Sequence, residues 1–247
     1  MLTNQEGKQV PNVKLKVLEN QKLVDLNTED IFKGKRVIVF ALPGAYTPTC
    51  SSAHLPRYNE LAPVFFKQGI DEIVCLSVND PFVMAAWAQD QKANNVRLVA
   101  DGNGEFSEKI GMLVDKSDLG FGKRSWRYSM YVEDGIIKKM FIEPEKPGDP
   151  FEVSDADTML NYLYPGVQKP LRISMISKRG CPHCARAKSM LTERGLDFEE
   201  IELGGGITQR SLFAISGAAT TPQVFIDGKK IGGADELAEY LQNLSIN

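Results

Sequence analysis

The sequence is short of several things, and each shortage narrows what the chain can be. Its longest apolar runs, such as Val37 to Leu42, suit a single strand. They fall far below the roughly twenty residues that a membrane span needs. No apolar stretch follows the basic residues of the N-terminal MLTNQEGKQVPNVKLKV, so that segment does not read as a secretory signal. A cytoplasmic protein without a membrane partner is therefore expected. Cysteine is scarce, with four in the chain. In a reducing compartment these are catalytic, metal-binding or buried thiols rather than a disulfide framework. The formal net charge is only -3, which lacks the basic excess of a nucleic-acid partner. One local cluster, Lys123, Arg124 and Arg127, is basic. Internal repeats and low-complexity tracts are absent.

What is present is ordinary globular material, 43% hydrophobic and 25% charged over 247 residues, a length that favours two domains. Arg36 to Leu42 (RVIVFAL) and Ile73 to Val78 (IVCLSV) read as buried strands, and Pro81 to Ala93 as a helix. Arg97 to Ala100 and Met130 to Val132 are further strands. Asp134-Gly135 marks a hairpin into Ile136 to Ile142. Glu143 to Pro150 (EPEKPGDP) is a loop. Ser154 to Tyr164 then reads as a helix capped by Ser154, with Asp157 at the third position. The segment Tyr164 to Pro170, with two prolines and a glycine, reads as a domain boundary. Beyond it a second α/β pattern begins. Its expected strands are Leu171 to Ile176, Phe198 to Leu203, Gln223 to Ile226 and Lys229 to Ile231. Its expected helices are Cys181 to Arg194, Ile207 to Ile215 and Asp235 to about Asn243. Strands alternating with helices predict α/β sheets covered by helices.

Two places carry chemistry. In the first, RVIVFAL runs through Pro43-Gly44-Ala45-Tyr46-Thr47-Pro48-Thr49 into Cys50. A strand, a Pro/Gly turn and a helix starting near Cys50 would aim its sulfur at free backbone N–H groups. Thr47 is placed to donate its hydroxyl to a thiolate or a bound oxygen. Pro56, six residues on, predicts a kink or restart of the helix. Cys50 has no C-x-x-C partner, so a resolving thiol must come from elsewhere. Cys75 reads mainly as a buried small hydrophobe, with a resolving role as the alternative. His54 is either locally hydrogen-bonded or catalytic.

In the second place, Cys181-Pro182-His183-Cys184 follows a strand and opens a helix. Cys181 then sits at the helix N-terminus, where unpaired N–H groups and the dipole favour a thiolate, and Cys184 lies one turn on. Lys178 adds positive charge nearby. His183 either tunes this thiol or is simply solvated. A zinc site requires four ligands, and this half supplies two cysteines and one histidine, so no metal is expected.

Residues 171–247 resemble a glutaredoxin. The resemblance rests on Cys181-Pro182-His183-Cys184, on Thr220-Thr221-Pro222-Gln223-Val224-Phe225-Ile226, and on Gly232-Gly233-Ala234-Asp235. It implies a cis Pro222 facing Cys181 and glutathione contacts at Lys178, Thr221, Pro222 and Asp235. The family commonly has tyrosine where His183 stands and cysteine where Ala234 stands. Residues from about 5 to 165 resemble peroxiredoxins of the type-5 branch. That resemblance rests on Pro43-x-x-x-Thr47-x-x-Cys50, on Ser51-Ser52-Ala53-His54-Leu55-Pro56, and on Leu119-Gly120-Phe121-Gly122-Lys123-Arg124-Ser125-Trp126-Arg127-Tyr128. It implies a peroxidatic Cys50 with Pro43 shielding the sulfur and an arginine beside the thiolate. Arg127 is the match and Arg124 the alternative. Two arginines three apart on a strand face opposite sides.

Together the resemblances imply two thioredoxin-like domains, 1–165 and 171–247, each a central mixed sheet flanked by helices. They imply a peroxidase acting on hydrogen peroxide and alkyl hydroperoxides. Glutathione would be its reducing co-substrate, Cys181 and Cys184 would act in regeneration, no cofactor would be bound, and a homo-oligomer (dimer or tetramer) is expected. Two other readings use the same cysteines: a peroxide sensor that oxidises client proteins, and an iron–sulfur carrier built on Cys181.

Overall fold

Asn20 and Gln21 both adopt left-handed backbone, with φ of 49° and 62°. They close a two-residue turn between β1 (Lys14–Glu19) and β2 (Lys22–Asn27). Such turns usually announce themselves with Asn-Gly or Asp-Gly. Here glutamine occupies the glycine position, so the sequence carries no hairpin signal at this turn. In the computed structural model, which describes residues 2–244, the hairpin is followed by α1 (Thr28–Phe32) and β3 (Arg36–Ala41).

Side chains alternate across a strand, and β3 is apolar on both sides. Val37, Val39 and Ala41 enter one core layer, while Ile38 and Phe40, with Leu42 just beyond, enter another. A strand buried on both faces belongs inside a sheet. Next come α2 (Leu55–Lys67), β4 (Glu72–Ser77), α3 (Pro81–Asp90), β5 (Arg97–Ala100) and α4 (Glu105–Lys109). A ribbon of β6 (Leu113–Asp115) and β7 (Lys123–Ser125) precedes β8 (Tyr128–Glu133) and β9 (Ile136–Ile142). The expected hairpin at Asp134-Gly135 is present, with φ of 45° and 76°. The large sheet runs β2-β1-β5-β4-β3-β8-β9, with β3, β4 and β5 mutually parallel and its other pairings antiparallel.

Three local expectations change. The helix after the EPEKPGDP loop, α5 (Ala156–Leu163), is capped by Asp155, whose carboxylate accepts from Thr158 N at 3.0 Å. Ser154 is instead buried and hydrogen-bonded to Glu143. A carboxylate next to the helix start wins the cap once the hydroxyl has a stronger partner. The helix expected near Cys50 begins as a π-helical turn, Cys50–His54, and becomes regular only at Leu55. The restart coincides with Pro56, which sits in the first turn of α2, where a missing N–H costs nothing. Finally, Arg127 lies between β7 and β8, off any strand, so strand alternation does not decide between it and Arg124.

The chain divides into two units, residues 1–168 and 169–247. The second contains β10 (Ile173–Ser177), α6 (Pro182–Glu193), β11 (Glu199–Glu202), α7 (Gln209–Ser216), β12 (Gln223–Ile226), β13 (Lys229–Gly232) and α8 (Ala234–Asn243). Its sheet runs β11-β10-β12-β13, parallel only between β10 and β11. Met175, Ala187, Leu191, Val224 and Leu237 form its core. Each unit is thus a mixed sheet flanked by helices, the thioredoxin-like α/β class expected. Among the described residues no helix is long and apolar enough to cross a membrane.

Candidate functional site

The parallel strands β3 and β4 end side by side, and the loop carrying Cys50 leaves from that edge. Asn79, just past β4, pins it: its Oδ1 accepts from Ala45 N at 3.0 Å and from Ser77 Oγ at 2.8 Å. Pro43 and Gly44 are buried. The Thr47 hydroxyl donates to Gly44 O at 2.8 Å. Its proton is therefore engaged, correcting the expectation that it donates to a thiolate or a bound oxygen, and its lone pairs remain for a hydrogen bond from a ligand O–H. Trp87 Nε1 donates to Ser51 Oγ at 3.0 Å. Cys50 itself is fully buried in the layer of Phe40, Leu55 and Tyr58.

Arg127 is 1% exposed. Its Nη1 donates to His54 Nδ1 at 3.1 Å, and its Nη2 meets both carboxylate oxygens of Asp149 at 2.5 and 2.6 Å. The guanidinium lies over the Phe151 ring at 5.5 Å. Its Nε is buried without an acceptor. Burial opposes the charge of Arg127, but the negative charge that the Cys50 sulfur can carry, a hydrogen bond to it, and Asp149 more than offset this and raise its pKa. Cys50 and Arg127 are thus neighbours, and Arg124 is not in this cluster.

His54 is buried, and its partners fix its tautomer. Ser154 O, at 3.2 Å from Nε2, can only accept, so Nε2 carries the proton and Nδ1 is free to accept from Arg127. Burial and then Arg127 push the imidazole pKa well below its ordinary value, which keeps it neutral. Ser154 is held in turn by buried Glu143, which accepts from Glu152 N, Val153 N, Ser154 N and Ser154 Oγ at 2.7 to 2.9 Å. Cys75 pairs with Phe40 across β3 and β4. Burial, then the nearby Cys50, pushes its thiol well above the ordinary range.

In the second unit Cys181 is the N-cap of α6, and its sulfur accepts from Cys184 N at 3.2 Å. The Thr221 hydroxyl donates to the same sulfur at 3.7 Å, and the Thr221–Pro222 bond is cis. Burial works against the Cys181 thiolate. Hydrogen bonds from the Cys184 thiol, the Cys184 N–H, Thr221 and the His183 N–H outweigh it and lower the pKa. Cys184 is buried and shifts upward, first by burial and then by its hydrogen bond to Cys181. All four cysteines are unpaired thiols.

Two depressions flank Cys181. One is lined by Lys178, Arg179, Cys184 and Lys188. The other holds His183, Thr221, Pro222, Gln223 and Asp235. The predicted glutathione contacts therefore lie on both sides of the thiol. Asp235, in the first turn of α8, is ion-paired with Arg186. Among the described residues no cluster of three or more side chains could hold a metal ion.

A Redoxin family model matches residues 5–160, and a Glutaredoxin model matches residues 173–231. A hybrid peroxiredoxin of Haemophilus influenzae is 59% identical over 97% of this chain and 99% of its own length. The chain belongs to the hybrid peroxiredoxins. A Synechocystis peroxiredoxin is 61% identical over 60% of the chain and 82% of its own. Among solved structures, a reduced peroxiredoxin of Vibrio vulnificus in complex with hydrogen peroxide superposes with a TM-score of 0.62 at 40% identity. It covers 65% of this chain and 99% of that one.

In this hybrid peroxiredoxin, a peroxidase fused to a glutaredoxin domain, Asn79, Asp149 and Glu143 support the Cys50 site without any motif in the sequence. Each is a polar residue in or beside a loop, and none has a spacing motif that ties it to Cys50. Glu143 offered one weak signal, a carboxylate closing the apolar strand β9.

Proposed function

We propose that the chain is a glutathione-dependent peroxidase, with residues 1–165 reducing the peroxide and residues 171–247 returning the oxidised cysteine to its thiol. The observation that carries this reading is the contrast among the cysteines. Cys50 lies buried beside a cationic Arg127, while Cys181 is accessible with a lowered pKa.

The Cys50 thiolate attacks the terminal oxygen of the peroxide: an S–O bond forms, the O–O bond breaks, and charge develops on the departing oxygen. Arg127 offers its unpaired Nε–H to that charge, and Thr47 Oγ1 accepts a hydrogen bond from the peroxide O–H. Hydrogen peroxide and alkyl hydroperoxides fit this chemistry. The peroxide-bound V. vulnificus relative supports the first of these. The departing oxygen takes a proton and leaves as water or alcohol, and Cys50 is left as a sulfenic acid. Glutathione condenses with it and releases water. The Cys181 thiolate then attacks the glutathione sulfur of the mixed disulfide, freeing Cys50. A second glutathione attacks the glutathione sulfur on Cys181, releasing oxidised glutathione and the Cys181 thiolate; alternatively Cys184 displaces glutathione as its thiol, and two glutathiones then reduce the Cys181–Cys184 disulfide to two thiols and oxidised glutathione.

Lys178, Thr221, Pro222 and Asp235 hold the glutathionyl group. Asp235 exchanges its Arg186 partner for the γ-glutamyl ammonium. The working form is a homo-oligomer.

Mass spectrometry after one equivalent of peroxide in excess glutathione tests the relay. The Cys181→Ser variant is expected to accumulate a glutathione adduct on Cys50, whereas in Cys184→Ser a second glutathione clears Cys181 and Cys50 returns to its thiol. Absence of any adduct on Cys50 in Cys181→Ser overturns the sequence of steps.

A further inference from the structure

Arg124 is the member of the basic cluster that the peroxide step leaves unused. Its guanidinium is half-buried and fixed by neutral groups. Nε donates to Phe121 O at 2.9 Å and Nη1 to Val78 O at 2.7 Å, while the Phe121 ring lies 5.8 Å from the guanidinium carbon. Among the described residues no carboxylate pairs with it. Arg127 differs, because Asp149 neutralises it from one side. Lys123 is exposed, and in the β6–β7 ribbon it faces Asp115, whose pKa it helps to lower. Arg124 is thus the uncompensated cation of the cluster.

Its position gives that charge a use. A Cβ built on Gly44 would lie 3.7 Å from Arg124 Nη1, 3.3 Å from Thr47 Cγ2 and 3.8 Å from Asn79 Oδ1. The cation therefore borders the turn that carries Cys50, across a gap that any side chain at position 44 would fill. Oxidised Cys50 needs a thiol from outside its own unit, because Cys75 is buried with a raised pKa. Glutathione carries two carboxylates and one ammonium. Its reactive thiolate is a dianion, and the chain it approaches has a net charge of -3. A fixed local cation offsets that repulsion and concentrates the anion at the site.

We infer that Arg124 binds a carboxylate of the incoming glutathione and steers its sulfur onto oxidised Cys50. This rests on the reading of Cys50 as the peroxidatic residue. In the step served, the glutathione sulfur attacks the Cys50 sulfenic sulfur. An S–S bond forms, the S–O bond breaks, and hydroxide leaves as water with the proton of the glutathione thiol. The Cys50 sulfur is reduced and the glutathione sulfur oxidised. If Arg124 were only a staple for the turn of residues 116–124, it would act equally on every thiol.

The test uses the full chain carrying Cys181→Ser and Cys184→Ser, oxidised with one equivalent of hydrogen peroxide. Decay of the Cys50 sulfenic acid is followed by quenched-flow mass spectrometry with glutathione and, separately, with uncharged 2-mercaptoethanol. Adding Arg124→Gln is expected to lower the glutathione-to-mercaptoethanol rate ratio about tenfold, within the range of electrostatic steering. Arg124→Lys is expected to keep most of the ratio. Without any change at Arg124, raising salt from about 0.02 M to about 0.5 M should lower the same ratio, as screening requires. Because both thiols are measured on one protein, a general loss of folding or of Cys50 reactivity cancels. An unchanged ratio in Arg124→Gln, or a salt-insensitive ratio without it, overturns the inference. If peroxide forms no sulfenic acid on Cys50, the peroxidatic reading falls, and this inference with it.

Discussion

Cys181 and Cys184 are three residues apart, yet their pKa values move in opposite directions, because one caps a helix and the other is buried behind it. The consequence is measurable. In a Cys50→Ser background, Cys181 should stay reactive toward iodoacetamide as pH falls below 9.0, the ordinary thiol value. Its rate should decline only around a lower midpoint, because a depressed pKa preserves the thiolate to lower pH. Cys184 should remain inert until above that ordinary value. A Cys181 midpoint at or above 9.0 would contradict the assigned role. At this scale much was legible. Cys50, Thr47 and Cys181 stand in motifs whose spacing carries chemistry, and Thr221 in a stretch that resembles a glutaredoxin. Contacts between residues distant in sequence were not: His54 meets Arg127 across 73 positions and Ser154 across 100. No local pattern encodes such a pairing, so the role of His54 stayed open until its partners were seen.

The element that shapes the Cys50 site is the loop from β9 to α5. Glu143 holds Glu152, Val153 and Ser154 by four hydrogen bonds, and this places Ser154 O against His54 and Tyr58. Asp149 and Phe151, from the same loop, contact Arg127. Glu143→Ala would leave several buried donors unpaired, which should cost about 3 kcal/mol of stability. Urea unfolding followed by tryptophan fluorescence checks this, and a change within experimental error would show that the latch is not structural. The loop and the helix after it were legible in the sequence, but the cap expected at Ser154 falls to Asp155. The competition between Glu143 and the helix terminus for that hydroxyl is a tertiary effect. The π-helical turn at Cys50–His54 is of the same kind. Pro56 signalled a restart, but the extra residue in the turn, which sets the direction of Cys50 and His54, has no sequence mark.

For the whole molecule, length and the proline-rich stretch near residue 165 indicated two α/β units, and β-branched apolar runs located most strands. The hairpin of β1 and β2 escaped because its turn lacks glycine at the left-handed positions. The central claim is that these units form one catalytic cycle, in which Cys50 meets the peroxide and glutathione acts through Cys181. Peroxide-dependent NADPH oxidation, coupled through glutathione and glutathione reductase, tests it most directly. Turnover should vanish in Cys50→Ser, nearly vanish in Cys181→Ser, and largely persist in Cys184→Ser. Full activity in Cys181→Ser would contradict the account.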